Sequence, residues 1–176
     1  GWVDSIGTML RWGFGHGAEP QFAYHLIRPK GTPIRSFGGV CEGPEALQIL
    51  HTRLRQLICN RSGDWVSSRD IVDIMNMIGA CVIAGNVRRT AEIAFGDPDD
   101  DEFLELKNYE KCPERAEYGW TSNNSIFATV GMNYTQPAER TRKNGEPGYA
   151  WLQNMRDYGR MVDPPNFADY RVLGGN

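Results

Sequence analysis

Ile78-Gly-Ala-Cys-Val-Ile-Ala-Gly-Asn-Val-Arg-Arg-Thr-Ala-Glu-Ile-Ala-Phe-Gly96 decides the fold class. Upstream of it, Ile71, Ile74, Met75 and Ile78 recur at a spacing that gathers apolar side chains on one helical face. Ser67 and Ser68 stand before that run as candidate N-caps. A helix is therefore predicted to reach about Ile83. Gly85 and Asn86 break it, and Ala84–Arg89 reads as a tight loop. Ala91–Phe95 follows as a strand. A helix passing through a short turn into a buried strand is the unit of α/β folds with at least some parallel pairing.

The same reading extends outward. Val3, Ile6, Met9 and Leu10 predict a helix over 2–12, stopped by Gly13, Gly15 and Gly17. Phe22–Ile27 reads as a short buried strand. Arg28–Pro44 is rich in Pro and Gly and too long for a simple turn, which marks it as functional. Leu47, Leu50, Leu54 and Leu57 predict a helix from about 45 to 59, ended by Asn60, Ser62 and Gly63. Downstream, Asp97–Asp101 caps a short helix with Phe103, Leu104 and Leu106 inward and Lys107 at its end. Residues 108–122 read as irregular, Ser125–Val130 as a strand, 133–147 as polar surface loop, Tyr149–Arg160 as a helix and 161–176 as loop. The chain has no internal repeat.

Composition bounds the rest. The 176 residues carry 19 Lys+Arg against 22 Asp+Glu, a net charge of −3, with 40% hydrophobic residues. That suits one globular domain or a large piece of one. Five Trp, seven Tyr and seven Phe exclude a disordered chain. The apolar runs are too short for a membrane span, and the net charge argues against a general nucleic-acid coat. Cys41, Cys59, Cys81 and Cys112 show no CxxC, which speaks against zinc and against a secreted disulfide framework and for a reducing, cytoplasmic compartment. Cys59 and Cys81 read as core thiols, and Cys41 and Cys112 as loop residues with no activating His. His25 reads as a strand residue and His16 and His51 as surface; with no HxxxH or HExxH, no metal is expected.

Three segments have the makings of a binding site. Arg28-Pro-Lys-Gly-Thr-Pro-Ile-Arg35 puts Arg28, Lys30 and Arg35 on a stiff, glycine-bearing loop right after the strand expected at Phe22–Ile27. Phosphates need positive charge and a closely approaching backbone, which Gly31 permits; the alternative is a solvated basic loop. Gly38-Gly-Val-Cys-Glu-Gly-Pro44 lacks the Lys-Ser/Thr ending of a P-loop. Gly85-Asn-Val-Arg-Arg-Thr90 presents Gly85, Asn86, Arg88 and Arg89 where helix gives way to strand, a place where α/β sheets bind ligands; the alternative is a surface turn. Ser122-Asn-Asn-Ser125 offers side chains that can bond sugar hydroxyls or phosphates, or open an ordinary strand.

Taken in order, Arg28–Ile34, Gly38–Pro44, Ile78–Ile93, Ser122–Ser125 and Gly145-Glu-Pro-Gly148 resemble the catalytic subunit of ribonucleotide reductase, most of all the monomeric, adenosylcobalamin-dependent class II ribonucleoside-triphosphate reductases. The resemblance covers nearly all of 1–176. It implies a partial ten-stranded α/β barrel, of which this chain supplies the effector-site and specificity-loop half. Residues 1–44 then help form a site for a deoxynucleoside triphosphate effector, with Arg28 on phosphate and Lys30 and Arg35 close by. Ala84–Ala91, with Gly85, Asn86, Arg88 and Arg89, corresponds to the specificity loop between effector and substrate. Asn176 corresponds to the Asn of the Asn-Pro-Cys-Gly-Glu finger motif and would meet the substrate ribose. The radical cysteine and the glutamate would lie beyond it.

The chain opens on Gly1 inside an amphipathic run and stops at Gly174-Gly175-Asn176, so an internal fragment, inactive alone, is expected. The resemblance further implies thiyl-radical reduction of ribonucleoside triphosphates, adenosylcobalamin, a thioredoxin-type reductant and a monomeric, cytoplasmic parent. Two alternatives stay open: a class I or class III reductase fragment, and a stand-alone nucleotide-binding regulator.

Overall fold

The computed structural model describes residues 1–36, 38–84 and 90–158, together with Pro164 and Ala168. Two compact units divide it, Gly1–Ala91 and Glu92–Asn176.

The first unit is helical. α1 spans Trp2–Gly13, α2 Glu45–Asn60 and α3 Ser68–Ile83. α2 packs against both α1 and α3. The core is Met9 of α1, Leu47, Leu50 and Leu54 of α2, and Val72 and Met77 of α3. These positions fall at helical spacing, and burying each such side chain is worth about 1.5–3 kcal/mol. The α1–α2 approach is close: a Cβ on Gly13 would stand 2.9 Å from Ile58 Cδ1. α3 starts at a capping box. Ser67 Oγ accepts from the Asp70 backbone N–H at 3.3 Å, and the Ser67 N–H donates back to Asp70 Oδ2 at 2.9 Å. Arg61, just past α2, ties the two helices through a 3.0 Å ion pair with Asp70.

The second unit holds a three-stranded sheet in the order β1-β2-β3, all parallel. β1 is Glu92–Gly96, β2 Ser122–Phe127 and β3 Gly148–Ala150. Parallel neighbours need crossovers. The first crossover carries α4 (Asp101–Leu104) and two 3-10 segments, Pro113–Glu117 and Gly119–Thr121. The second carries α5 (Thr135–Asn144). α6 (Leu152–Tyr158) follows β3. Asp100 Oδ1 caps α4 by accepting from Phe103 N–H at 3.1 Å. Phe103, Leu104, Leu106, Tyr118 and Ile126 form the core. A Cβ on Gly96 would clash with the Phe103 ring, so the glycine lets β1 lie close to α4.

The helix and the strand expected within 67–96 are both found, with β1 displaced by one residue; the tight loop expected at Ala84–Arg89 lies, apart from Ala84, outside the described residues. Other expectations are corrected. Phe22–Ile27 is not a strand, and His25 lies in a turn. Its aromatic residues dock on α2 instead: the Phe22 ring stacks 4.1 Å from that of His51. His51 is accordingly buried, not surface. The polar stretch 133–147 contains α5, a helix without an apolar stripe, held by Arg140–Glu105 at 2.7 Å and closed by Gly145 at φ 79°. The segment from Tyr149 begins as β3, and only Leu152–Tyr158 is helical. The strand expected at Ser125–Val130 starts three residues earlier, at Ser122. The loop expected at 161–176 lies, apart from Pro164 and Ala168, outside the described residues.

Candidate functional site

The basic loop of the first unit folds as a small hairpin. Gly31 N–H donates to Cys41 O and Cys41 N–H to Thr32 O, both at 2.8 Å. Pro33 and Val40 form an antiparallel bridge, and Ile34 N–H donates to Gly39 O at 3.0 Å. Two glycines make these legs possible. Gly31 turns at φ 85°, and Gly43 at φ 79°, where a Cβ would lie 2.5 Å from Glu45 Oε2 and 3.2 Å from the Lys30 nitrogen. Thr32 Oγ1 donates to Pro29 O at 2.7 Å and fixes the entry to the hairpin.

The three cations of this loop end in different situations. Arg28 lines a cleft of about 350 Å³ whose walls come from Trp2 of α1, Ile34, Val40 and Glu42 of the hairpin, and Cys81 and Val82 of α3. Lys30 pairs with Glu42 at 2.8 Å, and that hydrogen bond holds its ammonium above the ordinary lysine range. Arg35 is exposed at the hairpin tip. Among the described residues neither Arg28 nor Arg35 faces a carboxylate partner. A cleft with apolar walls and a cation at its edge suits a ligand that is part apolar, part anionic.

Burial pushes the Cys81 thiol up to about 11, so it stays protonated at neutral pH and serves as wall, not nucleophile. Cys41 is half-buried and also lines the cleft. Cys112 is buried; Cys59, expected in the core, is exposed because it falls on the outer side of α2. Among the described residues no helix is long and apolar enough to cross a membrane. Nor do three or more His, Cys, Asp or Glu gather there as a metal site.

Behind the loop lies a cluster centred on His51, beside a second cleft of about 410 Å³. Ser5 Oγ sits 2.9 Å from Nε2, and Tyr24 Oη 2.8 Å from Nδ1. Ser5 Oγ also donates to Trp2 O at 2.7 Å, which leaves it to accept from His51. Burial, reinforced by Arg55, lowers the His51 pKa and keeps the ring neutral. Burial raises the Tyr24 pKa in turn. Arg55 is itself held by Glu19 at 2.8 Å. This cluster fixes the segment that delivers Arg28.

In the second unit, the polar residues opening β2 alternate: Ser122 and Asn124 are buried, Asn123 is exposed and Ser125 half-buried. Ser122 Oγ donates to Asn124 Oδ1 at 2.9 Å, and Asn124 N–H donates to Glu146 Oε2 at 3.0 Å. Lys107 Nζ donates to Gly119 O at 2.7 Å and Ser122 O at 2.6 Å, with Glu146 at 3.6 Å. This cluster clamps β2 to its flanking segments.

The structure thus brings Arg28 to a cleft, ties Lys30 to Glu42 and leaves Arg35 at the tip. Trp2, Glu42 and His51 were not singled out by sequence; Glu42 was visible inside the quoted Gly38–Pro44 run. Gly85, Asn86, Arg88, Arg89 and Asn176 lie outside the described residues.

No family model and no solved structure matches the chain. Curated relatives do. Over all 176 residues the chain is 52% identical to a protein of Euglena gracilis named adenosylcobalamin-dependent ribonucleoside-triphosphate reductase, of which it covers 24%. A Dictyostelium discoideum protein with that name, marked as probable, is 50% identical over 177 residues, 23% of its length. A Lactobacillus leichmannii protein of the same name is 39% identical over 138 residues, 78% of this chain and 18% of that protein. The chain spans about a quarter of the length of the first two.

Proposed function

We propose that this chain is an internal segment of an adenosylcobalamin-dependent ribonucleoside-triphosphate reductase, and that its first unit binds the triphosphate of a deoxynucleoside effector. The relatives match it end to end within a longer polypeptide, and their names carry cobalamin dependence, which favours class II over a class I or class III fragment. The cleft beside Arg28 carries the second half of the reading: Arg28, with no carboxylate at ion-pair distance among the described residues, stands in a cleft whose walls are largely apolar apart from Glu42, which pairs with Lys30.

In this reading the Arg28 guanidinium donates to phosphate oxygens and Arg35 adds positive charge at the hairpin tip. Trp2, Val40 and Val82 cover the apolar part of the ligand and keep water from it. Gly85, Asn86, Arg88 and Arg89 form the specificity loop that relays effector identity to the substrate, and Asn176 donates to the substrate ribose. The three parallel strands would contribute to a ten-stranded α/β barrel. The thiyl-forming cysteine, the glutamate and the sites for substrate and thioredoxin-type reductant belong to the rest of a monomeric enzyme.

The residues described do not fit a cobalamin. Among the described residues, clefts of about 350, 570 and 410 Å³ in the first unit are small for a corrin macrocycle. His51, the histidine in them, has both ring nitrogens engaged. Other parts of the polypeptide would hold the cofactor.

Replacing Arg28 by Ala in the full-length protein removes a charge-assisted hydrogen bond, so deoxynucleoside triphosphate affinity falls about tenfold or more. Titration calorimetry checks this. Unchanged affinity would sink the effector reading.

A further inference from the structure

We propose that Glu42 is a built-in counter-charge that occupies Lys30 when the cleft is empty and must be displaced for a triphosphate to use that lysine. The proposal rests on the effector reading of the Arg28 cleft and concerns the regulation of that same site.

The two partners of this ion pair are not equivalent. The Glu42 side chain is only 20% exposed and lines the cleft with Arg28, whereas that of Lys30 is 70% exposed. The hairpin ladder fixes the backbone on either side: Gly31 and Thr32 bond to Cys41, and Gly43 lies against the Lys30 nitrogen. The carboxylate is therefore the stationary member. The ammonium, a point charge on a flexible four-carbon stem, is the movable one. Residues 28 and 30 are two positions apart, a backbone span of at most about 7 Å. A ligand anchored on Arg28 by one phosphate leaves the Lys30–Glu42 pair intact. A triphosphate reaches both cations, and its terminal oxygens compete with Glu42 for Lys30.

Glu42 thus weakens triphosphate binding and holds Lys30 beside the cleft between ligands. A partly exposed pair contributes modestly, so its displacement costs about two- to fivefold in affinity. Such a contact keeps an effector exchangeable, as a site that reports changing nucleotide levels requires.

The test is a cycle in the full-length protein with Mg²⁺ present: wild type, Glu42→Gln, Lys30→Gln and the double variant, titrated with dTTP and dTMP by calorimetry. Glu42→Gln should tighten dTTP about two- to fivefold and shift dTMP by less. In the Lys30→Gln background the gain should vanish. Equal tightening of both nucleotides, or a gain that persists without Lys30, would mean that Glu42 acts only through general charge and would overturn the proposal. Weaker dTTP binding in Glu42→Gln would overturn it in favour of a direct role toward the metal-bound phosphates, and no change would overturn it as well. The effector reading fails separately, if wild-type dTTP affinity does not depend on Arg28.

Discussion

Each unit sets a lysine against a glutamate, and the two pairs live in different physics. Lys107 in the second unit has an 11% exposed side chain and three acceptors: two carbonyl oxygens at 2.7 and 2.6 Å and Glu146 at 3.6 Å. Lys30 in the first is 70% exposed, with Glu42 as its ion-pair partner at 2.8 Å. The shorter pair is the weaker one. Burial lowers the Lys107 pKa and raises that of Glu146, each against the pull of the other charge. At Lys30 hydrogen bonding by Glu42 dominates and the pKa rises. Desolvation makes the first pair costly to break, because what remains would be a buried charge and two carbonyls that have lost a charged donor. Solvent stands ready to replace either member of the second. One pair is suited to hold strands in place; the other can open for a ligand.

The largest expected effect follows at Lys107. Lys107→Met in the full-length protein removes a donor from the Gly119 and Ser122 carbonyls and the counter-charge from Glu146, which keeps only the Asn124 N–H, and destabilises by roughly 3 kcal/mol. Urea unfolding measures the loss. Hydrogen exchange should place it on β2 and the segment leading to β3. A loss below about 1 kcal/mol, the range of an exposed pair, would erase the distinction between the two units.

His51 gives an intermediate test, since it is the buried titratable group behind the exposed loop. Burial lowers its pKa in the folded protein below the 6.5 of a free histidine. The unfolded chain therefore takes up the proton first as pH falls. The stabilisation is fully present above about pH 6.5 and is lost progressively toward the lower folded pKa. Unfolding midpoints measured from pH 7.5 to 5 should fall across that window, and His51→Asn should flatten the slope attributable to this unit. An unaltered slope in the variant would mean that the ring is not held neutral by its Ser5 and Tyr24 partners.

How much of this was readable from the sequence differs between the same two regions. The helix and strand within 67–96 were legible because apolar period and cap agreed: Ser67 does cap α3, and β1 begins within a residue of its expected place. The Arg28 loop was legible as a basic, glycine-bearing segment, though not the cleft that Trp2 and Val82 close from distant helices. Phe22–Ile27 misled because its apolar content serves aromatic docking on His51, not strand pairing, and a period of two cannot tell these apart. α5 was missed because no apolar stripe marks it. Its signals were the Glu139–Lys143 pair at 3.0 Å and Gly145 at its end. The Lys107 clamp could not be read at all, since its acceptors are backbone carbonyls 12 and 15 residues away.

The smallest expected effect is the sharpest test of the contrast. Lys30→Met removes a charge whose side chain is mostly in water and whose ion-pair partner, Glu42, regains solvent when the ammonium leaves. Neither the hairpin ladder nor the glycine turns depend on that side chain, because they are made by backbone groups of Gly31, Thr32, Cys41 and Gly43. Methionine keeps the stem's apolar length. Stability in the full-length protein should therefore stay within about 0.5 kcal/mol of wild type by urea unfolding, the ordinary range for a surface substitution. A loss comparable to that of Lys107→Met would show that the Lys30–Glu42 pair is a structural clamp and not a contact that opens. It would break the comparison at its weaker end, where the regulatory reading of Glu42 has its footing.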